Sequence, residues 1–281
     1  MASSVPAKLF TEDEVRRHKE KLDVITATAA KYLDDTYADH LAFHQKWGVS
    51  KYYGNRRKDY ATKAGRVKAL ESLGKPASLA DQQVGTACIS LAMLAMQRGF
   101  AEAGMQSTWK KINDVLKIDN KFYGTDLQVM LRQLGWKIYY WNPDPQKNAE
   151  WDAEDRKLSP PPEGKKWHPV WGGHASRYDT ATKKGNYAGT PVDDAKGLVG
   201  FGAKPPAAFG KLPFFIGTAH DGYHVFPGRR GDIIEAHSMR NMDSVENLEF
   251  SKFNPLGTKG GPRWTRTEKY RSGVVVVPAA F

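Results

Sequence analysis

The apolar positions of this chain change period along its length. From Thr11 to about Leu41, Leu22, Ile25, Ala29 and Leu33 recur at helical spacing, and Thr11 followed three residues later by Glu14 has the form of a capping box. The spacing predicts a helix there. Gly48 to Gly54, with Tyr52 and Tyr53 inside it, interrupts the pattern, and a basic helical stretch follows from about Tyr60 to Leu73. Gly74-Lys75-Pro76 should stop that helix, because Gly accepts the left-handed cap and Pro cannot continue the ladder. Residues 1–75 therefore read as an N-terminal helical region.

The next stretch is more regular. Ile89, Ala92, Met93, Met96 and Phe100 lie on one helical face and predict a buried helix ending near Gly104. Trp109 to Leu116 and Thr125 to Leu134, the latter closed by Gly135, predict two shorter helices, and the aromatic and branched run Trp136 to Trp141 predicts a strand. Residues 143–211, with Pro160-Pro161-Pro162 and many Gly, Lys and Asp, carry little periodicity and read as a loop-rich insertion. Short strands are expected at Leu212–Gly217, Gly222–Phe226, Asp232–His237 and Gly273–Val277. Helices followed by strands predict an α+β fold, a helix packed on an antiparallel sheet, within a domain running from 76 to 281.

Composition narrows the class. The 281 residues are 40% hydrophobic and include eight Trp, enough for a substantial core. No apolar run approaches the roughly 20 residues of a membrane-spanning helix, and Met1-Ala2-Ser3-Ser4-Val5-Pro6 lacks the features of a cleaved secretory signal. The expected site of synthesis is the cytoplasm, with any export by a signal-independent route. The net charge of +11 is distributed over scattered pairs such as Arg16-Arg17, Lys110-Lys111 and Arg229-Arg230. No recognition-module signature accompanies them, so a solvated basic surface is expected and nucleic acid is not an expected partner.

The chemistry centres on a lone Cys, which excludes an internal disulfide. Asp81-Gln82-Gln83-Val84-Gly85-Thr86-Ala87-Cys88 carries a Gly-containing loop into the buried helix, so Cys88 falls at that helix's N-terminus. Unbonded N–H groups and the positive end of the dipole favour the reactive thiolate there. Far downstream, Gly222-Tyr223-His224-Val225-Phe226 and Asp232-Ile233-Ile234-Glu235-Ala236-His237-Ser238 flank a Gly-bounded basic turn and predict a hairpin. A thiol needs a base within hydrogen-bond reach, and the base needs a third group to fix its tautomer. His224 can supply the first, and His237, Glu235 or Asp232 the second.

In this order, Gln82, Cys88, His224 and His237 resemble the papain-like cysteine hydrolases. The Gln six residues before the Cys resembles the oxyanion donor of papain-type enzymes. The His-Val opening one strand and His-Ala-Ser-like motif on the next resemble the NlpC-type branch. The Cys helix, Thr125-Asp126-Leu127, Leu134-Gly135 and the aromatic strand are also similar to bacteriocin-leader peptidases. The sequence departs from the NlpC type in lacking an Asp before Cys88 and in its long insertion. The resemblance implies a cysteine peptidase or amidase, with Cys88 as nucleophile, His224 as base, His237 or Glu235 as orienter and Gln82 as oxyanion donor. It implies a peptide or peptidoglycan substrate and an effector or lysin whose partners include a secretion carrier or an immunity protein. A protease, deamidase or transglutaminase-like toxin acting on protein is the nearest alternative, and a non-catalytic basic interaction protein on a papain-like scaffold is the second. His40 with His44, His168 with His174, and His220 with His224 lack the Glu of a zinc-peptidase motif, and there is no phosphate-binding loop or dinucleotide fingerprint. No metal or cofactor is expected.

Overall fold

A computed structural model describes residues 5–54, 62–86, 88–117, 124–141, 178–179, 184–185, 210–219, 225–236, 245–249 and 273–278. The first expected helix forms as two. Helix α1 (Glu12–Glu20) starts at a complete capping box, with Glu14 N–H donating to Thr11 Oγ1 and Thr11 N–H donating to the Glu14 carboxylate. Lys21 breaks the run at φ −102°, ψ 5°, and α2 (Leu22–Trp47) continues six residues beyond the expected end.

A short strand β1 (Tyr52–Gly54) follows, then α3 (Lys63–Ser72), which stops ahead of Gly74-Lys75-Pro76 as expected. A 3-10 turn (Ala77–Asp81) and strand β2 (Val84–Thr86) lead into α4 (Cys88–Glu102), α5 (Gln106–Lys117) and α6 (Gly124–Gln133).

Strand β3 (Lys137–Trp141) opens the sheet half of the chain. Within the expected insertion, β4 (Tyr178–Asp179) and β5 (Lys184–Gly185) pair with each other. The main strands are β6 (Phe215–Ala219), β7 (Val225–Arg229), β8 (Asp232–Ala236), β9 (Val245–Glu249) and β10 (Gly273–Val277). They join β3 in a six-stranded antiparallel sheet of order β3-β10-β6-β7-β8-β9.

Two strands are displaced from their expected positions. β6 starts at Phe215 because Pro213 has no N–H for a ladder and the Leu212 carbonyl accepts from Arg230 N–H, at 2.8 Å. β7 runs on through Arg229 because the hairpin loop is only Arg230-Gly231. Both residues have positive φ, 47° and 81°, as a two-residue loop matched to strand twist requires. β9 was not expected, since Val245-Glu246-Asn247-Leu248-Glu249 reads as polar.

One core joins the helices to the sheet. Ile25, Ala29 and Leu33 of α2 pack with Ile89, Ala92, Ala95, Met96 and Phe100 of α4, and the same cluster takes in Phe214, Ile216, Val225 and Val276. The alternate residues Phe215, Phe226, Val275 and Val277 are also fully buried and lie outside that cluster. The central strands are therefore apolar on both faces, which explains why their pattern is a continuous run rather than an alternation.

The fold is thus mixed helix and antiparallel sheet, α+β, with α4 held between α2 and the sheet. The first 75 residues contribute α2 to this shared core. Among the described residues no helix is long and apolar enough to cross a membrane.

Among the described glycines the tightest approach of backbone is at Gly99, where an added Cβ would lie 2.3 Å from the Ile25 carbonyl oxygen. Backbone blocks the space, so relief requires α2 and α4 to separate. Ala improves intrinsic helix propensity by about 1 kcal/mol, yet Gly99→Ala is expected to lower net stability by about 1–3 kcal/mol through overpacking. Urea unfolding of the two proteins measures the sign directly.

Candidate active site

The path to Cys88 begins at the C-terminal end of α2. Phe43 and Val49 pack with Leu70 of α3 and with Leu79 and Ala80, which fixes the 3-10 turn ahead of the Gln pair. The chain then passes Gln82 and Gln83, whose N–H groups both donate to the Leu79 carbonyl, at 3.0 and 3.1 Å. The neighbours have opposite surroundings. Gln82 is exposed, whereas Gln83 is buried and its Nε2 donates to the Ser50 carbonyl at 2.9 Å.

Beyond Gln83, Val84 N–H donates to the Lys51 carbonyl at 2.8 Å, and β2 runs parallel to β1 with Tyr52 opposite Val84. This ladder is itself tied to α2. The fully buried Ser50 Oγ donates to the Tyr52 carbonyl at 2.7 Å and lies 3.2 Å from His40 Nδ1. Tyr52 donates its hydroxyl to Asp39 Oδ2 at 3.0 Å, and Lys51 pairs with the same carboxylate at 2.6 Å. Burial, and then the Asp39 charge, hold the Tyr52 hydroxyl above its ordinary pKa, so it remains a donor throughout the physiological range. A surface pocket lined by Lys31, Tyr32, Asp35, Asp39, Tyr52 and Arg98 borders the ladder. Its carboxylates are already paired, Asp35 with Lys31 and Asp39 with Lys51.

Cys88 is the first residue of α4. The first four N–H groups of a helix have no intrahelical acceptor, and the dipole is positive at that end. The apolar face of Ile89, Leu91, Ala92, Ala95 and Met96 is buried, so this helix end is anchored by its own core residues.

Helix α4 packs on the β7–β8 hairpin. The hairpin turn is clamped to α2. Arg229, 6% exposed, donates from Nε to Asp34 Oδ1 at 2.7 Å, and Arg230 reaches both Asp34 oxygens at 2.8 and 2.7 Å. Burial alone would raise the Asp34 carboxyl, but the Arg230 and Arg229 hydrogen bonds outweigh it and hold it below the usual carboxylate range. This basic pair, read from sequence as solvated charge, is a fixed clamp. The Arg230-Gly231 turn is visible in the sequence, but its partner Asp34 lies 195 residues away from Arg229.

The predicted site residues divide accordingly. Gln82 and the backbone of Cys88 belong to the anchored loop and helix. His224 immediately precedes β7 and His237 immediately follows β8, and both lie outside the described residues, as do the side chains of Cys88, Asp232 and Glu235. Because the strands are antiparallel, the start of β7 and the end of β8 are at one end of the hairpin. Gln83 and the Ser50–His40 pair were missed as anchors. His40, considered above as a metal partner of His44, instead meets Ser50 and stacks on His44 with ring centroids 5.8 Å apart. Among the described residues no group of three or more His, Cys, Asp or Glu is arranged to hold a metal ion.

The two glutamines should separate in stability measurements. Gln83→Ala leaves the buried Ser50 carbonyl without its donor and is expected to cost about 1–3 kcal/mol. Gln82→Ala, at an exposed position, should stay within about 0.5 kcal/mol of the parent. Chemical denaturation of both variants checks the contrast, and equal losses would contradict the assignment of Gln83 as anchor. Comparison with protein-family models, with curated proteins and with solved structures finds no match.

Proposed function

We propose that the chain is a papain-like cysteine hydrolase that cleaves an amide bond through a thioester. The observation that carries this reading is the position of the lone Cys. Cys88 opens a buried helix that packs on an antiparallel hairpin whose first strand begins one residue after His224. A helix N-terminus favours a thiolate, and an imidazole beside it completes the activation that a thiol near its ordinary pKa of about 8.5 needs.

In the proposed cycle His224 takes the Cys88 thiol proton as sulfur attacks the amide carbonyl. The tetrahedral oxyanion receives hydrogen bonds from the Cys88 N–H and the Gln82 side chain. Collapse breaks the carbon–nitrogen bond, and the imidazolium gives its proton to the leaving amine. Water, deprotonated by the same imidazole, then hydrolyses the thioester and restores the thiol. His237, Glu235 or Asp232 would fix the His224 tautomer.

The reading sets a condition on the chain ahead of β7. Val225 joins the cluster shared with α4, whereas Phe226 lies against Gly217 outside it. Regular alternation carried back through 224 would send that side chain to the Phe226 side. The chemistry therefore requires the chain to depart from strand geometry before Val225, so that the imidazole turns toward α4.

The NlpC-type resemblance makes peptidoglycan stem peptides the proposed substrate, and the net charge of +11 suits an anionic wall. Incubation with purified peptidoglycan should release peptides or free amines, with no release by Cys88→Ala. Gln82→Ala should retain the fold and lose about 10²–10³ in turnover. No release by the parent protein would contradict the wall substrate, and full turnover by Gln82→Ala would remove that residue from the oxyanion site.

A further inference from the structure

Helix α1 is docked by an ionisable base. Seven of its nine residues are charged in the sequence Glu-Asp-Glu-Val-Arg-Arg-His-Lys-Glu, leaving out only Val15 and the histidine, and His18 is the one residue of the helix that is buried. The imidazole is 0% exposed. It lies 5.5 Å from the Phe100 ring of α4 and 6.3 Å from the Trp136 ring at the α6–β3 junction, centroid to centroid. Trp136 donates its indole N–H to His18 Nε2 at 3.2 Å, so this nitrogen is an acceptor and the docked ring is neutral.

Protonation at Nε2 would set a second N–H against the indole N–H inside an apolar seam. Burial pushes the imidazole down to about 4, and the Leu134 backbone offsets only part of that cost. Phe100, Trp136 and Leu134 supply no charge, and no charged side chain contributes to the shift. On α1 itself, Arg17 and Lys19 are exposed, as is the adjoining Lys21.

The rest of the segment is held by both polar and apolar ties. Gln133 of α6 accepts from Leu9 N–H at 2.8 Å and donates to the Pro6 carbonyl at 2.9 Å. From α5, Lys111 pairs with Glu14 at 2.7 Å and Thr108 donates to it at 3.4 Å. Val5 and Phe10 are buried in the core, and Leu9 and Val15 pack against it. Lys21, between α1 and α2, has non-helical backbone angles and makes no side-chain cap, which supplies a joint between the two helices.

We propose that residues 5–20 form an acid-operated latch, in which protonation of His18 undocks α1 about the Lys21 joint and opens the Phe100–Trp136 seam to water. The inference is independent of the chemistry proposed at Cys88. The sign follows from linkage. The undocked ring binds its proton near pH 6.5 and the docked ring only near 4. Docking is therefore undiminished above about pH 6.5 and weakens as pH falls through that window, by about a hundredfold in the docking equilibrium at pH 4. Glu14 adds to the loss at more acid pH. Burial tends to raise its carboxyl, the Lys111 and Thr11 hydrogen bonds outweigh this and hold it low, and protonation removes the Lys111 pair.

Hydrogen exchange of the full-length protein, corrected for intrinsic rates and compared at about pH 7 and about pH 4, tests the latch. The expected result is roughly a hundredfold more opening of segment 5–20 at the lower pH, with little change in α4. His18→Gln keeps an acceptor for the indole without titrating, and should abolish most of the pH effect. Unchanged protection of 5–20, or loss in step with α4, would overturn the proposal, as would the same pH dependence in His18→Gln. If that variant does not fold, the comparison of the two segments in the parent protein decides alone.

Discussion

Close contact between α2 and α4 is the constraint on which this architecture rests. A glycine at 99 lets the Ile25 backbone approach to a distance no side chain would permit, and the two helices share an apolar seam along Ala29, Leu33, Ala92, Ala95 and Met96. The small residues are what make the approach possible. With α2 on one side and the sheet on the other, α4 is fixed along its length, and so is the helix end that begins at Cys88. An anchored N-terminus is a fixed cluster of N–H donors, the feature a developing oxyanion requires.

Polar contacts then hold what the apolar core leaves open. The Gln83–Ser50 bond, the Ser50–His40 contact and the Asp39 pairs bind the loop before Cys88 to the end of α2, while Asp34 binds the β7–β8 turn to its middle. The loop before Cys88 and the β7–β8 turn are thus both referenced to a single helix. Buried polar contacts add direction to a core that apolar packing alone leaves free to slide. His18 plays a similar part for α1, with the difference that its contribution depends on a proton.

The helical half was legible because its signals are local. The Thr11–Glu14 box, the face from Ile89 to Phe100 and the stop at Gly74-Lys75-Pro76 each lie within a few residues of the element they define. The sheet was legible in class and less so in detail. Buried on both faces, its central strands have no alternation to mark their limits, and the charges of β9 conceal a strand whose place is set by pairing with β8. In the candidate site, the position of Cys88 on its helix followed from periodicity. The choice between Gln82 and Gln83 could not, because burial of one and exposure of the other depend on Ser50, 33 residues away from Gln83. The Asp34 clamp and the His18–Trp136 bond are hidden for the same reason, as long-range polar pairs leave no periodic trace.

The proposed chemistry requires an imidazole that activates the Cys88 sulfur. Titrating the ultraviolet absorbance of the thiolate in the parent protein and in His224→Ala examines that pairing without knowledge of any substrate. A thiolate pKa well below about 8.5 in the parent, rising by about one unit or more in the variant, is the predicted result. The same pKa in both proteins would show that no such pairing exists.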